Sequence, residues 1–69
     1  MTTTVARVTE ISAKSESSFE DAIKAGVDRA NKTLRNVQSA WVKEQRVTLT
    51  DGKVSGYQVN LLVTFQLDD

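Results

Sequence analysis

The chain contains no cysteine, histidine or proline. Without cysteine or histidine, the common zinc, haem, thiolate and imidazole chemistries have no ligands or bases. Disulfides are excluded too, so a small core cannot be stapled that way. Nine basic residues balance nine acidic ones, leaving a formal net charge of zero and no basic field to attract nucleic acid. No apolar run approaches the roughly 20 residues needed to span a bilayer. The first seven residues, Met-Thr-Thr-Thr-Val-Ala-Arg, lack an apolar signal core, so a cytoplasmic location is expected. Also missing are a phosphate-cradling glycine loop, a nucleophile–base pattern and a visible pair of carboxylates in an apolar setting. A non-enzymatic protein is the expectation. The 69 residues read as one domain, 1–69. Below about 70–80 residues a lone core is marginal without disulfides or metal, so association with further copies is the expected support.

One stretch organises what remains. Phe19, Ala22, Ile23, Gly26, Val27, Ala30 and Leu34 recur at steps of three and four, the signature of one helix face, and Val37 continues the stripe. Ser17 with Glu20 forms a capping box, with Ser18 and Asp21 as a second register. Glu20 and Asp21 suit the positive end of the helix dipole, and Lys32 and Arg35 the negative end. The helix is expected to end near Arg35 or Asn36. Gly26 interrupts the stripe at a propensity cost of about 1 kcal/mol relative to Ala, which implies that something packs closely there.

A first strand is expected over residues 4–12, followed by a polar loop over 12–18. A second runs from about Ala40 to Thr50 and a third from about Lys53 to Leu67, joined by an Asp51-Gly52 hairpin turn. On the third strand Tyr57, Val59, Leu61, Val63, Phe65 and Leu67 alternate with Gln58, Asn60, Leu62, Thr64 and Gln66, so the odd face should cover the helix. A two-residue turn pairs Thr50 with Lys53, Gln45 with Gln58 and Trp41 with Leu62, and sets Val42 opposite Leu61. Trp41 and Leu62 then lie on the face away from the helix. Val47 and Leu49 join them unless a bulge near 43–46 switches the phase. Such a patch marks an interface or a ligand surface. The fold class is α+β in β-α-β-β order.

These residues resemble the dodecin family. The likeness runs nearly end to end through residues 17–22, Arg29-Ala30, 32–36, 42–44, Arg46, 51–54, 57–59, Phe65 and 67–68. It implies a three-stranded antiparallel sheet wrapped around one helix, and a homododecamer forming a hollow shell. It also implies binding of a flavin, FMN or riboflavin, for storage or sequestration, with ring stacking quenching a photoreactive cofactor. By resemblance Gln58 matches the residue that hydrogen-bonds the ring edge, Arg46 a phosphate-facing arginine, and Arg7 a basic residue of the first strand. The stacking Trp of the family falls on Ser39, with Trp41 two residues further along the same face. A second phosphate-facing Arg falls on Gln66, two positions that are often Gly fall on Val47 and Thr64, and a Gly-Thr-Ser segment reads Ala13-Lys14-Ser15. The candidate flavin contacts are Trp41, Gln58, Arg46 and Arg7.

A second implied reading is a flavin-free shell that holds coenzyme A or metal ions, or is purely structural. The coenzyme A contacts of the family fall on Arg29, Thr33, Leu34 and Arg35. Glu10 and Asp68-Asp69 offer oxygens to a hard divalent cation, although no metal-binding motif is present. Each candidate also has a plain structural reading. Trp41 can pack a subunit interface, Gln58 can pair across strands, Arg7 and Arg46 can meet Glu10 or Glu44, and the basic helix end can simply be solvated.

Overall fold

The computed structural model describes residues 3–67. Its elements are β1 (Ala6–Ser15), α1 (Phe19–Thr33), β2 (Val37–Thr50) and β3 (Lys53–Gln66). All three strands form one antiparallel sheet in the order β1-β3-β2, so the last strand in sequence is the central one. The helix packs on the face of β1 and β3.

The small residues of the helix stripe explain how closely it lies. Ala22, Gly26 and Ala30 are buried against Val59, Leu61 and Val63 of β3, flanked by Ile11, Ala13, Phe19, Ile23, Val27, Leu34 and Val37. A methyl group added at Gly26 would sit 2.8 Å from Leu61 Cδ1 and 3.4 Å from Ala13 Cβ. The glycine thus buys the close approach that its spacing implied. Phe19 closes one end of the core edge-to-face on Tyr57, with ring centroids 5.1 Å apart.

The helix start takes the second of the two capping registers. Ser18 is the N-cap, its Oγ accepting from the Asp21 amide at 3.0 Å. Asp21 does not complete a box with Ser18. Its Oδ2 instead accepts from Ser15 Oγ at 2.7 Å, and Ser15 Oγ accepts from the Ser17 amide at 2.9 Å. That contact ties the end of β1 to the helix start, and it explains why the first strand extends to Ser15 rather than stopping at residue 12. Ser12 and Lys14 point outward on this edge strand, while Ala13 and the buried Ser15 lie on the helix side. The helix ends at Thr33, with Leu34 as C-cap, and Asn36 turns the chain with φ +59. β2 therefore begins three residues earlier than Ala40. At the hairpin Asp51 and Gly52 both have positive φ, 53 and 78, the backbone of a twisted two-residue turn.

The register between β2 and β3 contains compensating irregularities. Thr50 pairs with Lys53, Trp41 with Leu62 and Val42 with Leu61, as the turn predicts. Between them, shifts at Thr48/Leu49 and Val42/Glu44 displace the pairing by one residue and then restore it. Gln58 consequently faces Arg46, not Gln45, and Val47 pairs with Tyr57 on the helix side. Val47 nonetheless stays 43% exposed, because α1 does not extend over this half of the hairpin.

Leu49 and Val54 near the tip are 59% and 49% exposed. The chain measures 55 × 19 × 14 Å with a radius of gyration of 14.4 Å. A compact chain of this length has about 11 Å. The excess is the hairpin arm.

Because Leu61 is only 1% exposed and cannot swing aside freely, Gly26→Val should destabilise the fold by about 1–3 kcal/mol or more. A lowered urea midpoint measures this; an unchanged midpoint would show that the helix can lift off the sheet at no cost.

Candidate functional site

The face of the sheet opposite the helix carries three of the four candidate flavin contacts, Trp41, Gln58 and Arg46. Alternation on β3 sends Gln58, Asn60, Leu62 and Thr64 to this outer face. Their partners on β2 are Arg46, Glu44, Trp41 and Ser39, and on β1 Lys14, Ser12, Glu10 and Val8. Trp41 lies beside Leu62 and is 49% exposed. Gln58, half-buried, lies directly opposite Arg46. The Trp41–Leu62 and Arg46–Gln58 pairs are four residues apart on β3, about 13 Å. Ser39 pairs with Thr64, two residues further from Gln58. Trp41 is therefore nearer to the amide than the family's tryptophan position is.

The structure brings Trp41, Gln58 and Arg46 to one face but leaves Arg7 elsewhere. Arg7 pairs with Phe65 on the helix side, near the opposite end of the sheet from Gln58. Arg46 Nη2 meets Glu44 Oε1 at 3.1 Å within the same strand, an exposed pair of small energetic weight.

A polar row crosses all three strands at the centre of the face. Gln58 Nε2 donates to Asn60 Oδ1 at 3.2 Å, Asn60 Nδ2 donates to Glu10 Oε2 at 3.2 Å, and Lys43 Nζ donates to Glu10 Oε1 at 3.1 Å. Lys43 reaches Glu10 because the shift between Val42 and Glu44 leaves it as the extra residue of a bulge. The Glu10 carboxyl is held below its ordinary range, first by the Asn60 amide and then by the Lys43 ammonium, against a smaller opposing effect of burial. Asn60 and Lys43 were not singled out from the sequence. The shared parity of Asn60 and Gln58 was the available signal for the first; for Lys43 it was the change of hydrophobic phase between Val42 and Val47, which admits a bulge near 43–46 without fixing which residue it extrudes.

The helix-terminal candidates form a separate feature. Arg29, Thr33 and Leu34 line an open groove of about 530 Å³ with Thr9, Ile11, Ser12 and Ala13 of the edge strand β1. Arg35 lies beyond the helix and does not line it. Asp68 and Asp69 fall outside the described residues, and among the described residues no cluster of three or more acidic side chains could hold a metal ion. Among the described residues no helix is long and apolar enough to cross a membrane.

Comparison with known proteins accounts for this architecture. The family model for dodecin matches residues 5–68. The chain belongs to the dodecin family. A dodecin of Thermus thermophilus is 43% identical over 60 residues, 87% of each sequence. The structure of a Streptomyces coelicolor dodecin superposes with a TM-score of 0.91 at 33% identity, covering 100% of this chain and 99% of that one. A calcium dodecin of Mycobacterium tuberculosis, described as having a novel calcium-binding site, superposes with a TM-score of 0.80 at 31% identity over 93% of this chain and 91% of that one. Dodecins are small-ligand-binding homo-oligomers, in general without enzymatic activity, and a dodecameric assembly of this chain is consistent with its membership.

Because Glu10 ionises more readily in the folded state, its contacts contribute stability that is complete above the ordinary carboxylate pKa. That contribution is lost as pH falls through the lowered folded value. Carboxyl ¹³C NMR should therefore find its midpoint below 4.5, and Lys43→Met should move the midpoint upward. A midpoint at or above 4.5 would mean that the row is not formed.

Proposed function

We propose that the chain assembles as a cytoplasmic homododecamer and binds a flavin, FMN or riboflavin, to store or sequester it. The observation that carries this reading is the direct cross-strand pairing of Gln58 with Arg46 on the outer face, the same face that exposes Trp41. These are an amide suited to a ring edge, a cation suited to a phosphate and an aromatic suited to a ring face. Stacking on an aromatic is worth roughly 1–3 kcal/mol for a nucleobase, a fair proxy for an isoalloxazine ring.

In this reading Trp41 stacks in place of the residue that Ser39 has lost, with the ring shifted by about 6–7 Å along β2. Arg7, on the other face, would reach the ligand only from a neighbouring copy. The spread of Trp41 and Gln58 along the sheet favours a ligand held between two copies, each supplying part of its surroundings. The exposed hairpin arm supports assembly independently, since Val47, Leu49 and Val54 lack a cover within the chain.

The groove lined by Arg29, Thr33 and Leu34 supports a second reading, a shell that holds coenzyme A. It joins an apolar wall to one cation, and Arg35 stands outside it, so a phosphate-rich ligand would meet little charge there. A divalent cation is the ligand suggested by the Mycobacterium tuberculosis relative, but in this chain Glu10 is already committed to Lys43 and Asn60.

Purified protein should quench riboflavin or FMN fluorescence at low micromolar concentration, and Trp41→Ala should weaken that binding at least about tenfold, equivalent to the loss of one stacking contact. Unquenched fluorescence rejects the flavin reading for those ligands, and an unchanged affinity removes Trp41 from the site. Sedimentation should give a particle of about twelve times the 7.6 kDa chain. Stable folded single chains at micromolar concentration would overturn the assembly.

A further inference from the structure

A carboxylate has no proton to donate. This sets the direction of every hydrogen bond in the row across the outer face. Glu10 Oε2 accepts from Asn60 Nδ2, so Asn60 turns its Oδ1 the other way, and that oxygen accepts from Gln58 Nε2. The other Glu10 oxygen is taken by Lys43. Gln58 thereby uses one N–H inside the sheet. Its carbonyl oxygen, Oε1, and one remaining N–H are left for a ligand, and no hydrogen bond from the described residues occupies Oε1. With Asn60 unpolarised, the two amides could reverse together and leave Gln58 offering only N–H groups.

We infer that Glu10 and Asn60 are positioning residues for Gln58: they hold its carbonyl outward as an acceptor, so that the outer face selects ligands whose docking edge carries an N–H donor, in particular a cyclic imide. The inference rests on the ring-binding reading above and narrows it to the group on the ring that is recognised. Two observations besides the row itself bear on it. Gln58 and Asn60 are half-buried, so their end of the row is already partly shielded from water, and a ligand lying on the face would extend that shielding toward the exposed Glu10. The extra residue of the β2 bulge, Lys43, holds Glu10 from the far side, fixing the carboxylate that sets the direction.

The remaining charged groups on this face do not compete for the row. Lys14 of β1 stands opposite Gln58, but among the described residues it makes no hydrogen bond to the row, its side chain running over Gly56. On β2, Glu44 is paired with Arg46. Glu10 is thus the acid whose protonation would release the row, by turning one of its oxygens into a donor.

The test compares riboflavin with 3-methylriboflavin, which lacks the imide N–H, on the intact protein and on Glu10→Gln. The native protein should prefer riboflavin by about tenfold or more, the cost of facing a shielded acceptor with no donor. In Glu10→Gln, where the neutral amide can give or accept, the preference should shrink to about threefold or less. If Glu10→Gln weakens both ligands by the same factor and keeps the preference, Glu10 is merely structural and the inference fails.

A ligand-free measurement separates this from the flavin reading. The side-chain amide ¹⁵N and ¹H resonances of Gln58 should follow the Glu10 carboxyl titration in the native chain and cease to do so in Asn60→Val. A Gln58 amide indifferent to that titration overturns the inference whether or not riboflavin binds. An amide that follows it, in a protein that does not bind riboflavin, supports the positioning of Gln58 and rejects only the flavin reading.

Discussion

A fifteen-residue helix is about 22 Å long, and the fourteen-residue strands beneath it are about 46 Å. This mismatch governs the rest of the structure. The helix covers β1 and the half of β3 that carries Val59, Leu61 and Val63, and leaves the hairpin arm and most of β2 open. Within the covered half the packing is tight, because Ala22, Gly26 and Ala30 bring the helix backbone down onto the sheet. Beyond it, Val47, Leu49 and Val54 present apolar surface that the helix does not cover. For a chain without disulfides, further copies are the available cover, and the dodecin family meets the same constraint by association.

The bulges of β2 and β3 decide which polar side chains meet on the outer face. One shift in the pairing near the turn and an opposite one at Lys43 leave Leu49–Thr50 and the stretch from Ser39 to Val42 in the register set by the turn, while every pair between them moves by one. That single step places Arg46 opposite Gln58 and moves Val47 to the helix side. It also throws Lys43 onto the outer face, where it meets Glu10 across β3. An unbulged hairpin would have kept the same Trp41–Leu62 pair but a different set of polar neighbours.

The outer face differs from what family resemblance alone would suggest. Ser39 removes the aromatic from its usual position, and Trp41 restores one closer to Gln58. Gln58 does not stand alone on this face but belongs to a row, Gln58 to Asn60 to Glu10, whose direction is dictated by one charge. The row behaves as a unit, since an amide in it that reverses loses the hydrogen bond to its neighbour.

Local patterning determined the element order, the helix stripe from Phe19 to Leu34, the inward odd residues of β3 and the Asp51-Gly52 turn, because each depends on periodicities of 3.6 and 2 or on the positive-φ tolerance of two residues. The need for Gly26 was also legible, as a helix-weakening residue inside an apolar stripe. The capping register, the extension of β1 to Ser15 and the separation of Arg7 from Gln58 depended on tertiary contacts: Ser15 with Asp21, and the pairing of β1 along the whole of β3. Above all, the tertiary structure decided which polar side chains meet on the outer face. A bulge costs little locally and has no strict sequence signature, yet one inserted residue exchanges the faces of everything beyond it.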